Sequence, residues 1–213
     1  MQTPRRTPAA VWEEMLRGNQ RFVSGELQHP RRDVERRQAL ASRQAPDAAL
    51  FGCSDSRLAA EIIFDVGIGD LFVVRNAGQI VSESVVGSLE YAVAVLTVPL
   101  IVVLGHDECG AVNAAIAAEG ADAPSLPPHI ASLISQITPA VRRVSGSAHG
   151  HIDPARIDSR EVGREHLKDT IAQLIETSEI ISDAIAEGTL AVVGANYRLL
   201  EGRVVPDVIV GSV

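Results

Sequence analysis

Two runs of apolar residues in this chain stop abruptly at polar, cysteine-bearing stretches. Ala48-Ala49-Leu50-Phe51 leads into Cys53-Ser54-Asp55-Ser56-Arg57, and Leu100-Ile101-Val102-Val103-Leu104 leads into Gly105-His106-Asp107-Glu108-Cys109-Gly110. Unbroken apolar runs of this length suit strands buried on both faces, which is the habit of a parallel sheet covered by helices. The composition agrees. Hydrophobic residues make up 46% and aromatics only 3%, so the core must be packed by Val, Ile, Leu and Ala.

From residue 48 onward, strand and helix patterns alternate. Strands are expected at 48–52, 71–75 and 100–105, with helices at 59–64, 82–95 and 111–118 between and after them. Ser82 is placed to cap the helix at 82–95. A Gly- and Pro-rich stretch at 120–128 reads as irregular. Helices follow near 129–144 and 159–186, then a strand at 190–195 and a hairpin partner at 204–210 across Glu201-Gly202. Before the sheet, residues 8–24 form an amphipathic pattern on Val11, Trp12, Met15, Leu16 and Phe22, with Gly25 as a stop. Gly18 interrupts that helix, so packing must require it. A polar, Arg-rich helix with few apolar anchors (Val34, Leu40) is expected over 33–44, lying across another surface.

The expected architecture is α/β, with a mostly parallel central sheet of order 2-1-3-4 plus an antiparallel C-terminal strand, flanked by helices. Residues 1–213 are expected to form one domain, with 1–46 as a helical arm and 47–213 as the α/β core. In open parallel sheets, ligands bind beyond the C-terminal strand ends where strand order reverses. Strands one and three are neighbours in this order, so the two cysteine-bearing stretches should meet.

A net charge of −8 argues against a nucleic-acid surface. No apolar run reaches the roughly 18 residues of a membrane span, and the first residues carry no apolar signal core, so a cytoplasmic location is expected. A stable disulfide is disfavoured there. Cys53 and Cys109 are then metal ligands, a catalytic thiol, or inert core thiols. Cys, His and Cys make a good zinc set and leave a fourth position open. Asp55 and Arg57 sit close enough for a bidentate pairing that keeps the carboxylate ionised and oriented. Released from Arg57, Asp55 could instead become the fourth zinc ligand and close the site.

Together these stretches resemble the two signature motifs of the β-class carbonic anhydrases. Similarity continues through Val73-Val74-Arg75-Asn76-Ala77-Gly78 and Ser88-Leu89-Glu90-Tyr91-Ala92, covering most of 44–115. The resemblance implies one Zn²⁺ per chain held by Cys53, His106 and Cys109, with Asp55 and Arg57 as the catalytic dyad. It implies reversible hydration of CO₂ to bicarbonate and a proton by attack of zinc-bound hydroxide. Gln44, Phe72, Ala77 and Tyr91 match substrate-binding and pocket-wall positions, some supplied by a neighbouring subunit in a homodimer or homotetramer. Ala77 is smaller than the valine expected there. Leu50 stands where a bicarbonate-regulated subgroup has Trp, so the directly active subgroup is favoured.

Zinc held by three imidazoles brings the pKa of bound water to about 7. Two thiolates donate more charge and weaken that effect, so activity is expected to rise towards alkaline pH. Carbonyl sulfide hydrolysis on the same scaffold, a non-catalytic zinc-stabilised binding protein, and a thiol enzyme using Cys53 with His106 are the alternatives. His129, His149 and His151 read as surface residues.

Overall fold

The computed structural model describes residues 6–213; the first five residues of the expected arm lie outside the described residues. Five strands, β1 (Ala48–Cys53), β2 (Leu71–Asn76), β3 (Leu100–His106), β4 (Ala191–Arg198) and β5 (Arg203–Val210), form a sheet of order β2-β1-β3-β4-β5. The first four are parallel and β5 is antiparallel to β4. This is the expected topology.

The apolar runs behave as double-sided strands. All residues of β1 and β3 are buried. Ala48, Leu50, Leu100, Val102 and Leu104 join one core layer. Helix α1 (Pro8–Ser24) and α5 (Gly110–Ala118) cover it. Ala49, Phe51, Ile101 and Val103 join the other layer. That face is covered by α4 (Glu83–Ala94), α8 (Ser159–Thr177) and α9 (Glu179–Ala186). Ser82 has the extended backbone of an N-cap but makes no side-chain capping bond.

The arm is tied to the core by buried polar groups. Asn19, 3% exposed, donates to Ile63 O (3.1 Å) and Gly202 O (2.8 Å) and accepts from Val204 N (2.9 Å). Gly18 is required because a Cβ there would lie 1.8 Å from Phe64 O. Asp65 accepts from Arg21 Nε and from the amides of Gln28 and His29. Asp70 accepts from Arg31, Arg36 and the Gly67 amide.

Three expected helices are shorter or divided. The helix expected over 33–44 is α2 (Val34–Ala39), started by an Asp33 cap on the Arg36 amide. Beyond it, Leu40 is seated against Gly69, and Arg36 reaches Ile68 O and Asp70, so the chain turns off to reach β1. The helix expected near 129–144 is α6 (Pro128–Ile134) followed by α7 (Thr138–Ser145). Pro139 sits in the first turn of α7, where the missing amide is tolerated. The helix expected over 159–186 divides at Ser178 (φ −120°, ψ 106°), whose hydroxyl caps α9 at the Ile181 amide. A four-residue helix, α3 (Ala60–Ile63), follows the first cysteine loop.

Candidate metal centre

Parallel pairing of β1 with β3 sets Gly52 opposite Leu104, so both polar loops leave the sheet at the same end. Cys53 closes β1, His106 closes β3, and Cys109 stands immediately before the first residue of α5. One ligand atom from each lies within 4.8 Å of the others, and all three residues are buried. Two atoms bound at about 2.3 Å to one tetrahedral zinc are about 3.8 Å apart, so the cluster has the right scale.

The donor set also has the right chemistry. His106 Nδ1 lies 2.7 Å from Asp107 O. A carbonyl only accepts, so Nδ1 carries the proton and Nε2 presents a lone pair. Nε2 is buried and without a hydrogen-bond partner among the described residues. The two cysteines are not disulfide-bonded. A hydrogen bond from Cys109 holds the Cys53 thiol below the ordinary range against the opposing effect of burial, and His106 and the Gly78 amide assist. The same Cys53 sulfur, with burial, pushes Cys109 up. Cys109 can give up its proton beside the Cys53 thiolate only if a cation joins them, and this cluster fits zinc.

Asp55 and Arg57 form the bidentate pair expected from their spacing. Arg57 Nε donates to Asp55 Oδ1 (2.9 Å), Nη2 to Oδ2 (2.7 Å), and the Arg57 amide to Oδ1 (3.0 Å). The Arg57 side-chain bond is the main reason the Asp55 carboxyl sits far below the usual carboxylate range. Arg57 Nη2 also donates to Glu108 O (3.1 Å), joining the two loops. Glu108 takes φ 53°, uncommon for a residue with a side chain. Asp55 therefore faces Arg57 here, while the donor cluster consists of Cys53, His106 and Cys109.

The pocket-wall candidates divide. Ala77 follows β2 at the metal end and is exposed. Phe72 pairs with Ala49, whereas Asn76 pairs with Cys53. Phe72 is thus about 13 Å along the strand from the metal end, at roughly 3.3 Å per residue. Tyr91, 44% exposed, lies against Phe72 with ring centroids 6.1 Å apart. Gln44 is exposed, beyond the opposite end of β1. Within one chain these three stand away from the cysteines. Leu50 is buried in the core, and His129, His149 and His151 are exposed.

Other groups that hold the site carried no sequence signal of their role. Arg75 donates to Cys53 O (2.8 Å) and Asp55 O (2.6 Å), bracing the first loop. Asp107 accepts from the Leu199 amide (2.9 Å) and braces the second. Arg75 lies inside a stretch already singled out by similarity, but its partners are backbone carbonyls, which no side-chain pattern reveals.

The carbonic anhydrase family pattern matches residues 48–204. Carbonic anhydrase 2 of Mycobacterium tuberculosis is 48% identical over 202 residues, covering 95% of this chain and 94% of the relative. The carbonic anhydrase of Mycolicibacterium smegmatis is 46% identical, covering 94% of each. Among solved structures, the Coccomyxa β-carbonic anhydrase in complex with acetazolamide superposes with a TM-score of 0.68 at 28% identity, covering 82% of this chain and 78% of that one. One of two tetrameric β-carbonic anhydrases from Sordaria macrospora gives 0.67 at 27%, covering 79% and 84%. Nothing in these comparisons supports the carbonyl sulfide or the non-catalytic reading.

Proposed function

This chain belongs to the β-carbonic anhydrase family, zinc enzymes that hydrate CO₂ to bicarbonate; from that premise we propose that Cys53, His106 and Cys109 hold its zinc and that Asp55, clamped by Arg57, orients the attacking oxygen. When bound, zinc supplies a hydroxide nucleophile, increasingly so towards alkaline pH in a set with two thiolates. The observation that carries the reading is the three-bond clamp on Asp55. An ionised carboxylate has about four accepting positions, so roughly one remains, on Oδ2, free to accept a hydrogen bond at the site. The same Arg57 Nη2 that bonds Asp55 Oδ2 also donates to the Glu108 carbonyl, which fixes the clamp relative to the loop bearing Cys109. The carboxylate is therefore ionised, aimed, and unable to drift at the moment of reaction.

Ala77 lines the CO₂ pocket of its own chain, while Gln44, Phe72 and Tyr91 complete the pocket of a neighbouring copy in a homo-oligomer. The distance of these three from the cysteines along the strand supports this. So does the description of the Sordaria enzymes as tetrameric. Among the described residues no helix is long and apolar enough to cross a membrane. The two cysteines, free and buried, suit a reducing compartment, and we place the enzyme in the cytoplasm.

Stopped-flow CO₂ hydration on metal-quantified protein tests the roles. Asp55→Asn should retain zinc at one per chain and lose activity by roughly 10²–10⁴-fold. An Asp55→Asn protein as active as the parent would overturn the assignment.

A further inference from the structure

His166 stands on α8, on a part of the chain 88 residues from the loop that follows β2, yet its ring reaches that loop: Nε2 lies 2.8 Å from Gly78 O. Because a carbonyl only accepts, Nε2 is the protonated nitrogen. Nδ1 is then a bare acceptor, buried and unpartnered among the described residues. The residue is 3% exposed, and burial pushes its pKa down, so the ring is neutral. An imidazole kept in the core with one nitrogen unsatisfied costs stability that a leucine would not. What the ring gains is a hold on Gly78.

Gly78 occupies a special place. Its φ of 79° is open mainly to glycine, and a Cβ there would come within 2.9 Å of Ala111 Cβ. Its amide points at Cys53 Sγ, 3.3 Å away. One residue thus carries a sulfur ligand on its N–H and an imidazole on its C=O. One turn further along α8, Thr170 Oγ1 donates to His166 O (2.8 Å) and reaches Gln79 O (3.5 Å).

We propose that His166 is a positioning residue for the metal centre: by gripping the Gly78 carbonyl it holds the backbone so that the Gly78 amide stays aimed at the Cys53 sulfur, and that N–H in turn draws charge out of the ligand. The inference rests on Cys53 being a zinc ligand, as proposed above. An N–H···S bond spreads sulfur charge into the peptide, so the thiolate donates less to its metal. In a site with two thiolates, that withdrawal favours activation of water.

The test uses the full chain loaded with Co²⁺ or with ¹¹³Cd²⁺. In the cobalt protein, His166→Leu and His166→Met, which lack a donor, should shift the thiolate-to-cobalt band to longer wavelength. His166→Gln, which keeps an amide donor, should restore it, and Thr170→Val should leave it in place. In the unaltered cadmium protein, the Gly78 amide proton should show scalar coupling to ¹¹³Cd through the sulfur. With zinc, kcat/KM should fall roughly tenfold in the leucine and methionine variants at unchanged metal content, and recover in the glutamine variant. An unmoved band in either donorless variant, or no coupling at Gly78 in the unaltered protein, overturns the proposal. Should neither donorless variant fold, the coupling decides. A cobalt protein with no thiolate band at all would instead remove the ligand reading on which the proposal stands.

Discussion

Asp65 shows how a single buried charge attaches the arm. Its side chain is fully buried and meets Arg21 Nε at 2.7 Å. Burial opposes its ionisation, but Arg21 and the amides of Gln28 and His29 outweigh that, and its pKa lies below the usual carboxylate range. A depressed carboxyl contributes stability above the unfolded value, about 3.9. That contribution is lost as pH falls through the lower folded value. Asp65→Asn should therefore cost about 2–4 kcal/mol in urea unfolding at pH 7, because it removes the charge that Arg21 pairs with and replaces one of the two acceptor oxygens with an NH₂ donor facing other donors. The gap between variant and parent should start to narrow below about pH 4 and shrink further as pH falls. A constant gap from pH 7 to pH 3 would assign the loss to packing rather than charge. Gly18→Ala belongs to the same scale: a methyl group 1.8 Å from Phe64 O must displace backbone. It should cost at least about 2 kcal/mol. The need for glycine at 18 was readable in the sequence as a breach of helix propensity. The need for Asp65 was not, because its partners are backbone amides from a segment 36 and 37 residues away.

Among the elements, the strands were legible because burial on both sides forbids polar interruptions, so β1 and β3 announce themselves as unbroken apolar runs. Their pairing followed from the handedness of parallel crossovers, and with it the meeting of Cys53, His106 and Cys109. Helix ends were harder. Pro139 was a visible break that the apolar spacing of Ile134, Val141 and Val144 obscures. Ser178 gave less warning, since serine is an ordinary helix residue and the apolar pattern runs on from Leu174 to Ile181. Only tertiary structure explains the break. The Ser178 hydroxyl donates to Glu90 Oε1 on α4 (2.7 Å) while capping the Ile181 amide (3.2 Å). Ser178→Ala should remove the cap and the α4 contact together, at about 1–2 kcal/mol. In a chain of this size that lowers the thermal midpoint by roughly 3–6 °C. Circular dichroism melts at neutral pH measure it, and an unchanged midpoint would mean that packing against α8 alone sets the start of α9.

At the scale of the whole molecule, the residues named for the site fall into two groups that one chain keeps apart. Cys53, Asp55, Arg57, Ala77, His106 and Cys109 gather at the C-terminal ends of β1, β2 and β3, whereas Gln44, Phe72 and Tyr91 lie towards the other ends of β1 and β2. The resemblance names both groups and implies that a neighbouring subunit supplies some of them, but not which ones, because register along a strand is invisible until strands are paired. If the copies do share sites, two inactive variants must rescue each other. Asp55→Ala removes the aiming carboxylate from its own site, and Gln44→Ala removes the amide that the neighbour's site needs. A mixed pair then contains one site lacking both groups and one lacking neither. Mixing the two purified variants, dissociating in mild urea and reassembling should restore a fraction of CO₂ hydration that neither variant shows alone. Rescue should vanish when the same mutations are combined in one chain, since every site then lacks both groups. A mixture no more active than its components would confine each site to a single chain, and Gln44, Phe72 and Tyr91 would lose their assigned role.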